Sequence, residues 1–89
     1  MAYRKEDRPT VAEAIWAYFQ EKFQPTRLTM SSAEFQVISG WMDRGIPLTV
    51  ILRALEDMTA QKSKPRTLMA CVNAVDDAYR YWSQAMGLI

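Results

Sequence analysis

The chain has 89 residues, a length that suits one domain with one small core. Hydrophobic residues make up 49% of the chain and charged residues 24%, which is typical of a folded globular domain and excludes a disordered chain. Lys and Arg total 11 against 10 for Asp and Glu, so the overall charge gives no support to nucleic-acid binding, and only a local basic cluster would.

The cellular setting follows from the cysteine count and from the apolar runs. Cys71 is the single cysteine, so the fold does not depend on an internal disulfide or an oxidising compartment. No apolar run approaches the roughly 20 residues that a membrane span requires. The charged start, residues 1–8, is not followed by the apolar core of a signal peptide. We therefore expect a cytoplasmic protein that does not bind a membrane.

The N-terminal part predicts an arm followed by a helix. Residues 1–9 are polar and end in Pro9, so we expect a flexible arm there and a single helical domain over residues 10–89. Thr10 and Glu13 have capping-box spacing, which predicts a helix over about 11–23. Apolar residues then recur at helical spacing and form one stripe: Val11, Ala14, Ile15, Tyr18, Phe19 and Phe23.

Two further helices are predicted on either side of Gly45. Ser31 and Glu34 form a second capping-box pattern, which opens a helix over about 32–44, and Gly45 suits the position just past its end. Pro47 suits the first turn of a helix over about 47–61. The predicted apolar face of the earlier helix comprises Phe35, Ile38, Trp41 and Met42, and that of the later one Leu48, Ile51, Leu52, Leu55, Met58 and Thr59.

The last predicted helix covers about 67–86, with Gly87 as its stop signal. Its inner face is predicted to comprise Leu68, Cys71, Val72, Val75, Tyr79, Trp82 and Met86. No segment alternates with period two for long enough to be a strand. The sequence therefore predicts an all-α fold, a compact bundle of about four short helices.

The residue types that carry most chemistry are missing from the sequence. There is no histidine, the commonest general base at neutral pH and a frequent metal ligand. With a single cysteine as well, zinc sites of the usual kind are excluded. Three isolated glycines do not make a phosphate-binding loop. We therefore expect no enzyme activity, no metal and no cofactor.

Neighbouring carboxylates on a helix point about 100° apart, so they do not form a catalytic dyad. The spacing predicts surface ion pairs instead, and Cys71 is predicted to be a buried packing thiol because it lies on an apolar stripe. The predicted ion pairs join Asp76 and Asp77 to Arg80, and Arg53 to Asp57.

Three apolar residues lie at the edges of the stripes and are candidates for a partner interface. Trp16 flanks the stripe of the first helix, and Val50 and Ala54 flank that of the third. An apolar surface wider than a small core needs would contact a partner protein or a second copy of the chain. A helix buried over a wider arc would instead place the same residues in the core. Both interpretations stay open from the sequence.

A basic loop precedes the last helix and is a candidate for contact with nucleic acid. It contains Lys62, Lys64 and Arg66, and a helix N-terminus beside them favours phosphate. Three phosphate contacts give a salt slope of only about −2.7 on duplex DNA, so this binding would be weak. The alternative is a polar loop that lysines keep solvated.

The segment from Ile15 to about Met58 resembles the C-terminal type of domain in DnaD-like replication-initiation (primosomal) proteins and related phage replication proteins. The resemblance rests on short motifs in matching order: Tyr18-Phe19-x-x-x-Phe23, the Ser31-x-x-Glu34 helix start, Trp41, Gly45-Ile46-Pro47 and Val50-Ile51-Leu52-x-Ala54-Leu55. The family's last-helix motif is kept at Met69 and Val72 but differs at Leu68 and Asp76. The resemblance implies a bundle of short helices that helps to assemble replication machinery on DNA.

Two functions follow as hypotheses. The first is a non-enzymatic accessory or adaptor module, DnaD-like in fold, that docks on a protein partner and contacts nucleic acid weakly through the basic loop. The alternative is a purely protein-binding or self-associating module with no nucleic-acid role. A module that stands alone, without a larger companion domain, is expected to serve as an adaptor or regulator.

Overall fold

The computed structural model describes residues 4–23, 29–60 and 67–87. All regular structure in these ranges is helical, and it comprises α1 (Arg8–Phe23), α2 (Ser32–Asp43), α3 (Leu48–Met58) and α4 (Val72–Ala85). A short 3-10 helix, Lys5–Asp7, precedes α1, and another, Leu68–Cys71, leads into α4. The predicted all-α bundle of short helices is confirmed. None of the helices described is long and apolar enough to cross a membrane.

Helix α1 begins earlier than its capping pattern predicted, because Pro9 is accepted within the first turn, where the missing N–H has no helical partner to lose. Arg8 ties this start to α2. Its guanidinium donates to the backbone carbonyl of Ser39 at 3.3 Å and lies 2.8 Å from the Asp43 carboxylate. The predicted cap at Thr10 is therefore wrong, and residues 8 and 9 of the predicted arm belong to the helix.

Both ends of α2 follow their sequence signals. The hydroxyl of Ser31 accepts from the Glu34 backbone N–H at 3.2 Å, and the Ser31 N–H donates to the Glu34 carboxylate at 3.1 Å. At the other end Gly45 adopts a left-handed φ of 72°, and the N–H of Ile46 donates to the Trp41 carbonyl at 3.1 Å. These bonds satisfy backbone groups that a helix end leaves without partners. The predicted capping box and the predicted glycine stop are confirmed.

The core lies where α1 packs on α2 and α3 and where α3 runs along α4. The Phe19 ring lies within it, with centroids 5.6 Å from Trp16 and 5.0 Å from Phe23. The fully buried apolar residues come from α1, α2, α3, the α2–α3 connection, the second 3-10 helix and α4: Ile15, Phe19, Ile38, Ile46, Ile51, Leu55, Leu68, Cys71 and Val75. Most residues on the predicted apolar stripes therefore face inward.

Three residues predicted on inner faces are exposed. Ala14 is one of them, because the buried arc of α1 is formed by Ala12, Ile15, Trp16 and Phe19. Phe35 is 47% exposed, while its neighbour Glu34 is fully buried. The polar residue turns inward because its carboxylate accepts hydrogen bonds from backbone groups at two helix starts. Met86 is 61% exposed because it follows the last residue of α4 and lies beyond the helix that would bury it. The predictions for Ala14, Phe35 and Met86 are wrong.

Candidate functional site

The residues predicted as a partner interface are mostly core residues. Trp16, Val50 and Ala54 are 8%, 6% and 2% exposed, respectively. Of the two interpretations that the sequence left open, the burial of Trp16 and Ala54 agrees with helices buried over a wide arc and not with an exposed partner surface at these two residues. Val50 differs from the other two, because it also lines a groove on the surface.

The basic loop with Lys62, Lys64 and Arg66 lies outside the described residues, but the helix start that follows it is described. The backbone N–H of Leu68 donates to the Glu34 carboxylate at 3.0 Å in a buried hydrogen bond. A protein carboxylate therefore already takes one of the free donors that the sequence assigned to a phosphate. This part of the predicted phosphate site is corrected.

A groove of about 550 Å³ lies between α3 and α4 and is the candidate functional site. Each helix contributes one face, because the lining positions recur three, four or seven residues apart. Small side chains at several of them leave a trough beside the indole of Trp82. The lining residues, called here the α3–α4 groove, are Thr49, Val50, Arg53 and Asp57 from α3 and Ala78, Tyr81, Trp82 and Ala85 from α4.

Tyr81 forms a ridge at one side of this groove. Its side chain is 75% exposed, the largest value among the exposed large hydrophobic residues described. It also lines a second, smaller depression of about 290 Å³, together with Asp77, Arg80 and Gln84. An aromatic ring between two depressions is a common anchor for a partner, since tyrosine offers a large rigid contact area with a polar tip.

The α2–α3 connection holds α4 in place beside the groove. Arg44 Nη1 lies 2.6 Å from the Asp76 carboxylate, and the Arg44 guanidinium lies 5.8 Å from the Tyr79 ring centroid. Tyr79 in turn stacks on Trp82, with centroids 5.9 Å apart. This chain of contacts fixes the indole that lines the groove. Asp76 was predicted to pair with Arg80, and the structure pairs it with Arg44 instead.

Arg53 and Asp57, called here the rim pair, carry opposite charges on the exposed edge of the groove. The spacing predicted an ion pair between them, but within the described ranges neither takes part in one. Helical pairs four residues apart are weaker when the basic residue comes first, as it does here. By contrast, the predicted pair of Asp77 and Arg80 is present at 3.8 Å. The rim pair therefore remains open to a partner.

The groove contains groups suited to binding. Its charged side chains are one guanidinium and one carboxylate, next to two aromatic rings. Among the described residues, no group of three or more acidic or cysteine side chains lies close enough to hold a metal ion.

Cys71 is fully buried and does not line the groove. Its pKa is raised to about 11, mainly by burial and to a smaller extent by the negative charge of Glu34. At neutral pH this thiol is protonated, which makes it a poor nucleophile.

Tyr81 is the residue that the sequence analysis missed. It lies on the polar face of α4, between Asp77 and Arg80 on one side and Gln84 on the other. The sequence does contain a signal for it: an aromatic side chain on an otherwise polar helix face, where the core of its own domain cannot bury it.

Comparison with known proteins adds no further site, since no protein-family model, no curated protein and no solved structure matches the chain.

Proposed function

We propose that this protein is a non-enzymatic accessory or adaptor module that docks on a protein partner through the α3–α4 groove. The observation that supports it is an apolar trough edged by the exposed Tyr81 ring and by the rim pair, Arg53 and Asp57. Helix-binding domains hold an amphipathic segment in a groove of this kind. Tyrosine, tryptophan and arginine are also the residues that contribute most to binding at protein interfaces.

The proposal includes a DnaD-like fold and a cytoplasmic location. The fold rests on the resemblance over Ile15 to Met58, whose motifs lie on α1, α2 and α3, at the start of α2 and in the connection between α2 and α3. The location rests on the single cysteine, Cys71, which is a free thiol and not part of a stabilising disulfide. In this proposal the module assists a larger assembly by contact and does not change a substrate.

Capture from the cell that makes the protein tests the docking function. We expect Tyr81→Ser to lose at least about tenfold of the specifically captured protein, because a single aromatic anchor commonly contributes 2 kcal/mol or more. Mass spectrometry of proteins cross-linked to the tagged chain is the measurement. Phe35→Ser is the matched control, since Phe35 is also exposed but lies on α2, away from the groove. Equal capture by the wild type and both variants would contradict docking at the groove.

Weak contact with nucleic acid is the second part of the proposal and concerns a different region. The described ranges carry seven basic and ten acidic side chains, so they do not offer phosphate a positive surface overall. The remaining basic residues all lie outside those ranges: Arg27, Lys62, Lys64 and Arg66. We therefore assign phosphate contact to the loop that contains Lys62, Lys64 and Arg66.

Titration of labelled single- and double-stranded DNA at low salt tests this second part. We expect binding at tens of micromolar protein in about 50 mM salt, where non-specific binders are normally detected. Replacing Lys62, Lys64 and Arg66 together by serine should abolish it, whereas Lys22→Ser on α1 should not. Absence of binding by the wild type would leave a purely protein-binding module, which is the alternative function.

A further inference from the structure

We infer that the α3–α4 groove binds a second copy of this chain, with the two copies related by a two-fold axis. The inference rests on the proposed function of the groove as a docking surface and names its occupant. In a two-fold interface the same patch is used on both copies, so the patch must be complementary to itself. The shape and the charge of this face meet that requirement, and the molecule offers enough surface area for such an interface.

The first property is shape. A ridge and a trough lie side by side, because Tyr81 borders the groove that Val50 and Ala78 help to line. When two such faces meet about a two-fold axis, the Tyr81 ring of each copy enters the groove of the other. An isolated monomer leaves this ring 75% exposed. Docking of a second copy therefore covers the most exposed large hydrophobic residue in the described ranges and fills the trough in one step.

The second property is charge. The rim pair places a cation and an anion one helical turn apart, and neither is in an ion pair within the described ranges. If the α3 helices of the two copies cross in opposite directions, Arg53 meets Asp57 of the second copy. The symmetry then forms the reciprocal pair at the same time. A strongly acidic or strongly basic segment would instead meet a like charge at one member of the rim pair.

The third property is the available area. A standard interface buries about 800 Å² on each partner, roughly an eighth of the 6083 Å² that this chain exposes. The molecule is a slab of 39 × 33 × 18 Å, with a short dimension of about two helix diameters. One broad face of such a slab is large enough for an interface of that size.

Sedimentation equilibrium of the purified chain tests the inference. We expect a monomer–dimer equilibrium with a Kd on the order of 10–100 µM, the strength of a small transient interface. Tyr81→Ser should weaken the dimer at least tenfold, because the ring is the central anchor of both halves. Phe35→Ser is the matched control and should leave the dimer unchanged. Circular dichroism of each variant shows that the helices are intact.

A charge swap identifies the rim pair as the contact. Arg53→Asp alone and Asp57→Arg alone each place like charges opposite one another, and each should weaken the dimer about tenfold. The double variant restores opposite charges across the axis, so its Kd should return to within about fivefold of the wild type. Glu21→Arg, on the exposed face of α1, is the matched charge-reversal control and should have no effect.

Two results would overturn the inference. One is a chain that stays monomeric up to about 0.5 mM, a concentration that detects even weak complexes. The other is a dimer that responds neither to Tyr81→Ser nor to the charge swap, since its interface would then lie elsewhere. A monomer whose capture of a different protein is lost with Tyr81→Ser overturns self-association while docking at the groove stands. If the groove supports neither self-association nor capture of a different protein, the proposed function is overturned as well.

Discussion

Glu34→Ala is expected to lower the free energy of unfolding by about 2–4 kcal/mol, because it removes the acceptor of one buried backbone donor and breaks a helix cap. The Glu34 side chain is fully buried. Its carboxylate accepts from the backbone N–H and the hydroxyl of Ser31, at 3.1 and 3.0 Å, and from the backbone N–H of Leu68 at 3.0 Å. Alanine leaves the buried Leu68 N–H without its acceptor, which costs about 1–3 kcal/mol. The two Ser31 donors belong to an exposed residue and can bond water, so their loss is that of a helix cap, about 1 kcal/mol.

The position of Glu34 in the chain explains why so much depends on it. One carboxylate closes the capping box of α2 and also bonds the start of the 3-10 helix that leads into α4. It therefore joins two helix starts through a bond between residues 34 positions apart in sequence, Glu34 and Leu68. The total stability of a domain of this size is about 4–13 kcal/mol. Loss of the carboxylate is expected to leave little of that margin.

Urea denaturation followed by tryptophan fluorescence and circular dichroism measures the effect of Glu34→Ala. Glu34→Gln should cost about 1–2 kcal/mol, because the amide oxygen keeps one acceptor while the amide NH2 faces a donor. The glutamine variant keeps the prediction testable if Glu34→Ala does not fold. Glu13→Ala, on the exposed face of α1, is the control and should stay within about 0.5 kcal/mol of the wild type. A cost below about 1 kcal/mol for Glu34→Ala would contradict the assigned role.

Between pH 9 and pH 11 the wild type is expected to lose about 2 kcal/mol more stability than Cys71→Ala. Burial first and then the charge of Glu34 raise the pKa of Cys71 to about 11, from an ordinary value of 9.0. In this window the folded chain keeps the thiol proton and the unfolded chain has released it. The unfolded state therefore binds fewer protons, and stability falls as the pH rises. Well below pH 9 both states are protonated, and the contribution is fully present.

Comparison of the two pH profiles isolates the thiol, because tyrosine and lysine titrate alike in both proteins. Denaturation is measured in the presence of a reductant at several pH values between 8 and about 11, and the slopes, not the absolute stabilities, are compared. The ultraviolet absorbance of the thiolate gives the pKa of Cys71 directly. Glu34→Gln should bring that pKa closer to its ordinary value, since it removes the second of the two causes. Parallel profiles for the wild type and Cys71→Ala would contradict the prediction.

The sequence by itself determined the helical fold and several helix ends. The capping box at Ser31 and the glycine stop at Gly45 depend on hydrogen bonds between residues a few positions apart, so a short stretch of sequence contains all the information. Burial of Cys71 also followed from its place on an apolar stripe. The start of α1 could not be predicted from the local sequence. Arg8 is held there by the Ser39 carbonyl and the Asp43 carboxylate, both of which lie on α2.

Only the tertiary structure decided which arc of each helix faces the core. Apolar residues occupy much of the circumference of α1, so periodicity did not settle the side on which Trp16 lies. Glu34 replaced Phe35 on the inner face because a distant backbone N–H, that of Leu68, required an acceptor. The α3–α4 groove has the same origin. The groove forms because α3 and α4 pack side by side, and the sequence of neither helix alone specifies the gap between them.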